Sequence, residues 1–330
     1  MKNRDPGCVP ALALTVLLVG LLALSTAGAQ TGKKTKQKHA KTASGQPGRS
    51  AADSLAGARA DSLRVVEQIR ADSLRLARQR EAEQRRADSL KARTMRRIEQ
   101  TAFGVGERLV FDVNYGILTA GEAIMSVSRY DTIAGRLCYH VEFLVNSLPS
   151  FSWVYKVEDR YSTFIDVEGI VPWKFEQHIR EGGYQRDFIA EFDQFRHVAK
   201  TSEGEYPIPP FVHDIMSGFY YARTLNYSQS KPGDIYSLFN FYRDTTHELG
   251  VKFLGRQELE VEAGTFNTIV VEPLVKEGGL FKSEGRIVIW LTDDDLKIPI
   301  RVNTKVVVGS IDTELREYSG LQGPVRSRIK

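Results

Sequence analysis

The sequence predicts an all-β fold for residues 101–330: a strongly curved antiparallel sheet, sandwich or open barrel, with one short helix near residues 214–225. Three observations lead there. From Gly104 onward, short segments alternate apolar and polar residues with the period of two that a half-buried strand requires. Turn residues separate them at frequent intervals. Helical periodicity surfaces only once in this region. About a dozen short strands with regular turns make a sandwich, a barrel or a strongly bent sheet. Some ~220 residues are enough to bury one full core, so one domain is expected.

The elements follow in order. Leu109–Tyr115 is alternating and aromatic-rich and breaks at Gly116. Ala123–Tyr130 and Leu137–Val145 come next, with Asp131–Gly135 as the turn between them. Further strands are predicted at Trp153–Ile165, Trp173–Arg180, Gln185–Phe192, Ile235–Tyr242, His247–Leu254, Gln257–Val261, Phe266–Val271, Gly285–Leu291, Ile298–Val307 and Ser310–Tyr318. Gly182-Gly183 reads as a tight hairpin turn. Glu262-Ala263-Gly264-Thr265 and Asp293-Asp294-Asp295 divide later strands. The helix starts at Asp214, whose carboxylate can cap the run Ile215–Leu225. Ile215, Met216, Phe219 and Ala222 then share a face, and Pro207, Pro209 and Pro210 prevent an earlier start.

The first hundred residues are a different polymer. Lys2 and Arg4 precede an apolar run from Val9 to Leu24, and Ala27-Gly28-Ala29 stands before Gln30. This is the layout of a secretory signal peptide over residues 1–29, with an uncleaved membrane anchor as the minority reading. Residues 30–50 are Lys, Thr, Gly, Ser and Gln with almost no apolar side chain, and are expected to be a disordered basic linker. Residues 51–100 are rich in Ala, Arg, Leu, Glu and Gln and predict a charged helical stalk. Ala-Asp-Ser-Leu recurs there at Ala52, Ala60, Ala71 and Ala87, without a sustained heptad seam. Residues 30–100 carry a net charge of +10, and residues 101–330 one of −7. A cationic stalk thus precedes an acidic body. It fits an anionic envelope surface or a solvated spacer, and the exported address argues against nucleic acid. After cleavage Cys138 is alone, so no internal disulfide forms, and its apolar setting predicts burial.

Several segments together carry a family likeness. They are Gly106–Val113 running into Gly116 and Ala120-Gly121-Glu122-Ala123, then Val157-Glu158-Asp159-Arg160, then His213–Ser217 with Tyr220–Arg223. Ala263–Asn267 with Val271-Glu272-Pro273 and Ile289–Asp294 complete the set. The region from Gly104 to Tyr318 resembles the bacterial domain-of-unknown-function family 3108. The resemblance implies an exported, β-rich domain of a Gram-negative bacterium, in the periplasm or cell envelope. It implies no established activity and no catalytic residues.

Enzyme signatures are missing from the sequence. No Gly-x-Ser-x-Gly elbow and no phosphate-binding loop occurs. The six histidines lie at no ligand spacing, so neither a metal nor a cofactor is expected. His213-Asp214 reads as a helix start, and Asp293–Asp295 as a solvated turn without the Gly and Glu of a calcium loop. Glu158-Asp159 could supply a carboxylate for glycan or lipid hydrolysis, but neighbours in a strand face opposite ways and a partner must come from elsewhere. The aromatic supply is the richest signal. Phe151, Trp153 and Tyr155 alternate as though on one strand face, and Trp173, Tyr220, Tyr221 and Trp290 add to them. These seven are the candidate ligand-binding residues of a non-catalytic envelope protein that holds a lipid, lipoprotein or glycan on a curved sheet. The alternatives are an envelope hydrolase using carboxylates and a scaffold that pairs through its stalk helix.

Overall fold

The first and last described strands lie side by side. In the computed structural model, which describes residues 67–81, 83, 95–242, 244–275, 286–306 and 309–330, strand β1 (Arg108–Tyr115) pairs with both β2 (Leu118–Ile133) and β14 (Ser310–Ser319). From β1 a meander runs outward through β3 (Arg136–Ser147), β4 (Glu158–Asp166), β5 (Pro172–Glu181), β6 (Tyr184–Asp193), β7 (Val198–Thr201) and β8 (Glu205–Pro207). A second meander begins at β9 (Ile235–Tyr242). It returns through β10 (Thr245–Val261), β11 (Gly264–Val275), β12 (Ile287–Thr292) and β13 (Pro299–Lys305) to β14. All neighbours are antiparallel, and the fourteen described strands form one open sheet with β8 and β9 at its edges.

The two edges approach without pairing. Phe241 of β9 meets Phe192 edge-on at 5.8 Å and lies 6.0 Å from Tyr206 of β8. Between them runs the segment ending at His213. Ile208 N–H donates to His197 O at 2.9 Å on the β7–β8 side. On the other side His213 N–H donates to Phe239 O at 2.8 Å, and Phe241 N–H donates back to His213 O at 2.7 Å. A strand edge is a row of unpaired N–H and C=O groups, and this segment satisfies part of it.

Helix α1 (67–81) belongs to the stalk, and its side chains are exposed. Two more helices are in the body: the single turn α2 (Pro149–Ser152) and α3 (Ile215–Thr224). Asp214 caps α3 as its sequence predicts, its Oδ1 accepting the N–H groups of Met216 at 2.8 Å and Ser217 at 3.0 Å. α3 is buried against the inner sheet face. Met216 and Tyr220 join the main core with Leu109, Phe143 and Tyr161, while Ala222 joins a second cluster with Leu238, Leu249 and Phe253.

The strand alternation appears as expected: β5 is buried at every second residue. Four local readings change. Residues 95–100, read as the end of the helical stalk, are not helical and pack on the body, Ile98 N–H donating to Glu168 O at 2.8 Å and Arg96 Nε to Gly169 O at 2.8 Å. Residues Trp153–Lys156 are not strand. Pro149 fixes the first turn of α2, so Phe151 is helical, Trp153 follows the helix, and β4 begins at Glu158. β10 is one strand and not two, because Gly255, at φ +146, absorbs an irregularity in the ladder and the pairing resumes beyond it. β7 and β8, of four and three residues, are too short to show a period. The signal segment, the basic linker, most of the stalk, Gly285 and Val307 lie outside the described residues.

Antiparallel pairing sorts the turns onto two rims. The upper rim carries the β1–β2, β3–β4, β5–β6, β7–β8, β9–β10, β11–β12 and β13–β14 connections. The lower rim carries β2–β3, β4–β5, β6–β7, β10–β11 and β12–β13. Gly320, at φ +66, closes the lower end of the β1–β14 seam. A Cβ there would overlap the carbonyl of Gly106, so no other residue fits.

Candidate functional site

One face of α3 and the inner face of the sheet enclose a half-open cavity of about 100 Å³. From α3 come Ile215, Gly218, Phe219 and Ala222, the spacing of one helical face. Opposite stand Leu249 and Val251 of β10, Val271 and Pro273 of β11, and Ile287, Ile289 and Leu291 of β12. Phe111, Met125 and Phe143 of β1–β3 and Pro299, Val302 and Thr313 complete it. Only Thr313 carries a polar side chain. A water needs roughly 10–15 Å³ of such space and two to four polar partners. The cavity has room for several waters and almost nothing to hold them, so an apolar group is its better occupant.

Two buried contacts fix α3, and so the cavity. At its start Asp214 Oδ2 accepts from Thr163 Oγ1 of β4 at 2.7 Å. At its end Arg223, fully buried, donates to both carboxylate oxygens of Glu107 at 2.7 Å. It also donates to the carbonyls of Ala102 at 2.8 Å and Leu296 at 3.1 Å. Glu107 precedes β1 and Leu296 lies in the β12–β13 turn, so this cluster fills the lower rim.

A second polar group lies inside the sheet. Asp159 of β4 and Glu181 of β5 are both buried, and their carboxyls lie side by side with Tyr155 against Glu181. Asp159 Oδ1 accepts Arg180 N–H at 2.8 Å. Burial, reinforced by Asp159, pushes the Glu181 carboxyl up to about 8, and burial raises Asp159 as well. The Tyr161 phenol, also buried, sits near Asp159 and is raised well above its ordinary value by burial. Glu181 is the partner that Asp159 lacked in the sequence. Glu158 instead faces solvent and pairs with Lys156 at 2.9 Å.

Elsewhere His213 is buried against Arg96, with 3.2 Å between Arg96 Nη2 and His213 Nε2. Burial, then the Arg96 charge, holds its imidazole well below the usual range. Asp294 acts as a turn former, its Oδ1 accepting from Thr292 Oγ1 and the N–H groups of Leu296 and Lys297. Among the described residues no group of three metal-ligating side chains occurs, and no helix is long and apolar enough to cross a membrane.

A family model described as a protein of unknown function, DUF3108, matches residues 110–316. The chain belongs to the DUF3108 family. No curated protein matches it in sequence. Among solved structures, the DUF3108 chain is similar to a β-barrel-like DUF1849 protein of Brucella abortus. That match has 11% identity and a TM-score of 0.44, and covers 67% of this chain and 98% of the other. A provisionally assigned lipoprotein of Parabacteroides distasonis matches at 13% identity and TM-score 0.29, over 68% of this chain and all of its own. A provisionally assigned exported protein with a YmcC-like fold from Bacteroides fragilis matches at 11% and 0.27, over 68% and all of its own.

The DUF3108 domain scatters the seven aromatic candidates, and none lines the cavity. Phe151 is half-buried in α2, Trp153 is exposed, and Tyr155 packs beneath Gly182. Trp173 is buried with Cys138 and Phe164, its Nε1 donating to Asp166 Oδ2 at 2.8 Å. Tyr220 is buried near Glu107, and Tyr221 stacks on His213 at 4.8 Å under the Arg96 guanidinium. Trp290 lies in an outer groove with Arg301 over its ring at 6.0 Å. The cavity is built by aliphatic residues and three phenylalanines, Phe111, Phe143 and Phe219, most of which read only as strand core, and α3 alone could have signalled it. A helix with apolar residues on more than one face must be covered on more than one side.

Proposed function

We propose that this DUF3108 protein is a non-catalytic envelope protein that takes the apolar end of an amphipathic ligand into the cavity beside α3. The carrying observation is the cavity's lining, apolar except for Thr313. That lining favours a lipid or lipoprotein acyl chain over a glycan, which needs convergent hydrogen-bonding groups. A volume of about 100 Å³ suits a chain end or a ring and not a whole lipid. The head group then stays outside. The envelope address rests on the signal-like segment at residues 1–29 and the family resemblance.

The test is uptake of a fluorescent fatty-acid probe by the full chain. Ligand at a hundredfold excess over Kd stabilises by about 2.7 kcal/mol, which raises Tm by roughly 5–10 °C for a domain of this size. Val271→Phe, which fills the space, is expected to cut uptake at least tenfold while circular dichroism stays unchanged. Absence of a Tm shift with fatty acids and phospholipids, or uptake indifferent to Val271→Phe, overturns the proposal.

The acid pair favours a second reading, an envelope hydrolase, because a carboxyl still protonated near neutral pH is what a general acid requires. It ranks below the first because both carboxyls are buried. Turnover of glycan or lipid substrates that Asp159→Asn abolishes would put it first. The scaffold reading rests on the exposed helix α1, and a stalk peptide that stays monomeric on crosslinking removes it.

A further inference from the structure

The four most exposed large apolar side chains of the body share one rim. Ile117 is 100% exposed, Trp153 83%, Val154 59% and Leu118 58%. The first and last belong to the β1–β2 turn, the other two to the β3–β4 connection, both on the upper rim. Tyr184, beyond the β5–β6 turn of the same rim, is also exposed. The three turns are neighbours. Leu148 N–H donates to Ala120 O at 2.9 Å between the first two, and the Tyr155 ring lies under Gly182 between the second and third. The lower rim presents Asp293, Asp295 and Glu262 at its turn tips and, among the described residues, exposed large apolar side chains only beside the β2–β3 turn, Leu137 at 53% and Tyr130 at 51%, and at Ile235 and Ile329.

Single exposed apolar residues are ordinary, but a run of them along adjacent turn tips is not. Among the described residues none of them packs into a core cluster. Trp153 even spends its polar edge locally, Nε1 donating to Ser150 O at 3.0 Å, so the ring presents carbon to the outside. We infer that Ile117, Leu118, Trp153, Val154 and Tyr184 form a shallow anchor that seats the upper rim in the headgroup boundary of a lipid bilayer.

A bilayer fits better than a protein partner. A stable protein interface engages roughly 20–30 residues a side, well matched in shape. Five side chains on three separate tips fall short of that, whereas a deformable lipid surface admits each tip independently. Trp and Tyr are the residues that settle at membrane interfaces. The cavity lining extends from Leu291 and Pro299 near the lower rim to the same upper rim, where Ile287 opens β12 and Pro273 and Thr313 lie close to the ends of β11 and β14. An apolar chain leaving a bilayer under this rim would have a short path.

The test is flotation of the mature chain, from Gln30 onward so that the apolar run Val9–Leu24 cannot bind lipid, with zwitterionic phosphatidylethanolamine–phosphatidylcholine vesicles at about 0.5 M salt, where attraction from the basic stalk is screened. The expected result is binding that falls at least tenfold in the triple variant Ile117→Ser, Leu118→Ser, Trp153→Ser. Tryptophan emission should shift blue on vesicles, and brominated lipids should quench it. Both signals should be lost in Trp153→Phe, since Trp173 is buried and Trp290 is half-buried in mid-strand on β12 with Arg301 over its ring. Binding unchanged in the triple variant, or emission unmoved by vesicles, overturns the inference. A concentration-dependent dimer that the triple variant abolishes, without vesicle binding, assigns the rim to a second copy and overturns it too. Val271→Phe should leave flotation intact, and the triple variant should leave probe uptake in solution intact. Failure of the cavity reading is therefore distinguishable from failure of the anchor.

Discussion

Arg223 and Glu107, 116 residues apart in the chain, meet through two hydrogen bonds of 2.7 Å at a point that solvent does not reach. The pair joins the end of α3 to the residue that leads into β1, and so sets the depth of the helix within the sheet. Such a pair adds little net stability when compared with well-packed apolar residues, yet removing one partner strands the other's charge.

The first prediction follows from that asymmetry. Glu107→Ala should destabilise the body by about 3–5 kcal/mol, and the double variant Glu107→Leu, Arg223→Met by clearly less. Urea denaturation of the two variants decides it. Equal losses would mean that the charges act independently.

Glu181 makes stability depend on pH. Its folded-state carboxyl sits near 8 against 4.5 when exposed, so the unfolded chain loses its proton first. Its contribution is full below about pH 4.5 and declines as pH rises toward 8, by an amount on the order of a few kcal/mol. Asp159, raised by burial, acts in the same sense, with Tyr155 and Tyr161 the other titratable groups against the pair. His213 opposes them: held neutral by burial, it costs stability as pH falls below about 6.5. Urea midpoints should therefore drop between pH 6.5 and 8.5, and Glu181→Gln should flatten that slope. An unchanged slope in the variant contradicts the assignment.

Asp214→Ala removes an acceptor from two helix N–H groups and from the Thr163 hydroxyl. The expected loss is about 2 kcal/mol or somewhat more, with Asp214→Asn much milder. Thermal unfolding of both measures it. A larger loss in the asparagine variant would show that charge, and not acceptor geometry, holds the helix start.

Cys138 is buried, and its thiol is pushed up to about 12 by burial and then by Asp166. In a Cys8→Ser background, labelling by a maleimide should be absent from the folded chain and proceed at the unfolding rate in urea. Fast labelling of the native protein would refute the packing described here.

Much of this fold is legible in the sequence because one inner face is apolar. Wherever a strand alternates cleanly, as in β5, β6 and β14, the period of two identifies it. Asp214 announces α3 through its capping chemistry alone. What escapes is set by tertiary context. The tripeptide β8 is a strand only because β7 pairs with it. Phe151, Trp153 and Tyr155 mimic alternation, but Pro149 turns the chain first. The candidate site is less legible still. Asp159 and Glu181 stand 22 residues apart and adjoin only because β4 and β5 pair. Aromatic content points to the candidates that composition makes prominent, whereas about half of the cavity lining is valine, isoleucine and leucine and its three aromatics are phenylalanines outside that set.

The seam between β1 and β14 shapes how the polypeptide can be made. Emerging N-terminus first, the nascent molecule can zip β1 through β8, but the free side of β1 must wait for β14, about 200 residues later in the chain. Until then an eight-residue ribbon lies open to any neighbouring chain. A ribosome stalled or a protease nick falling just before residue 310 would thus leave the most association-prone species of all, nearly finished and unable to close.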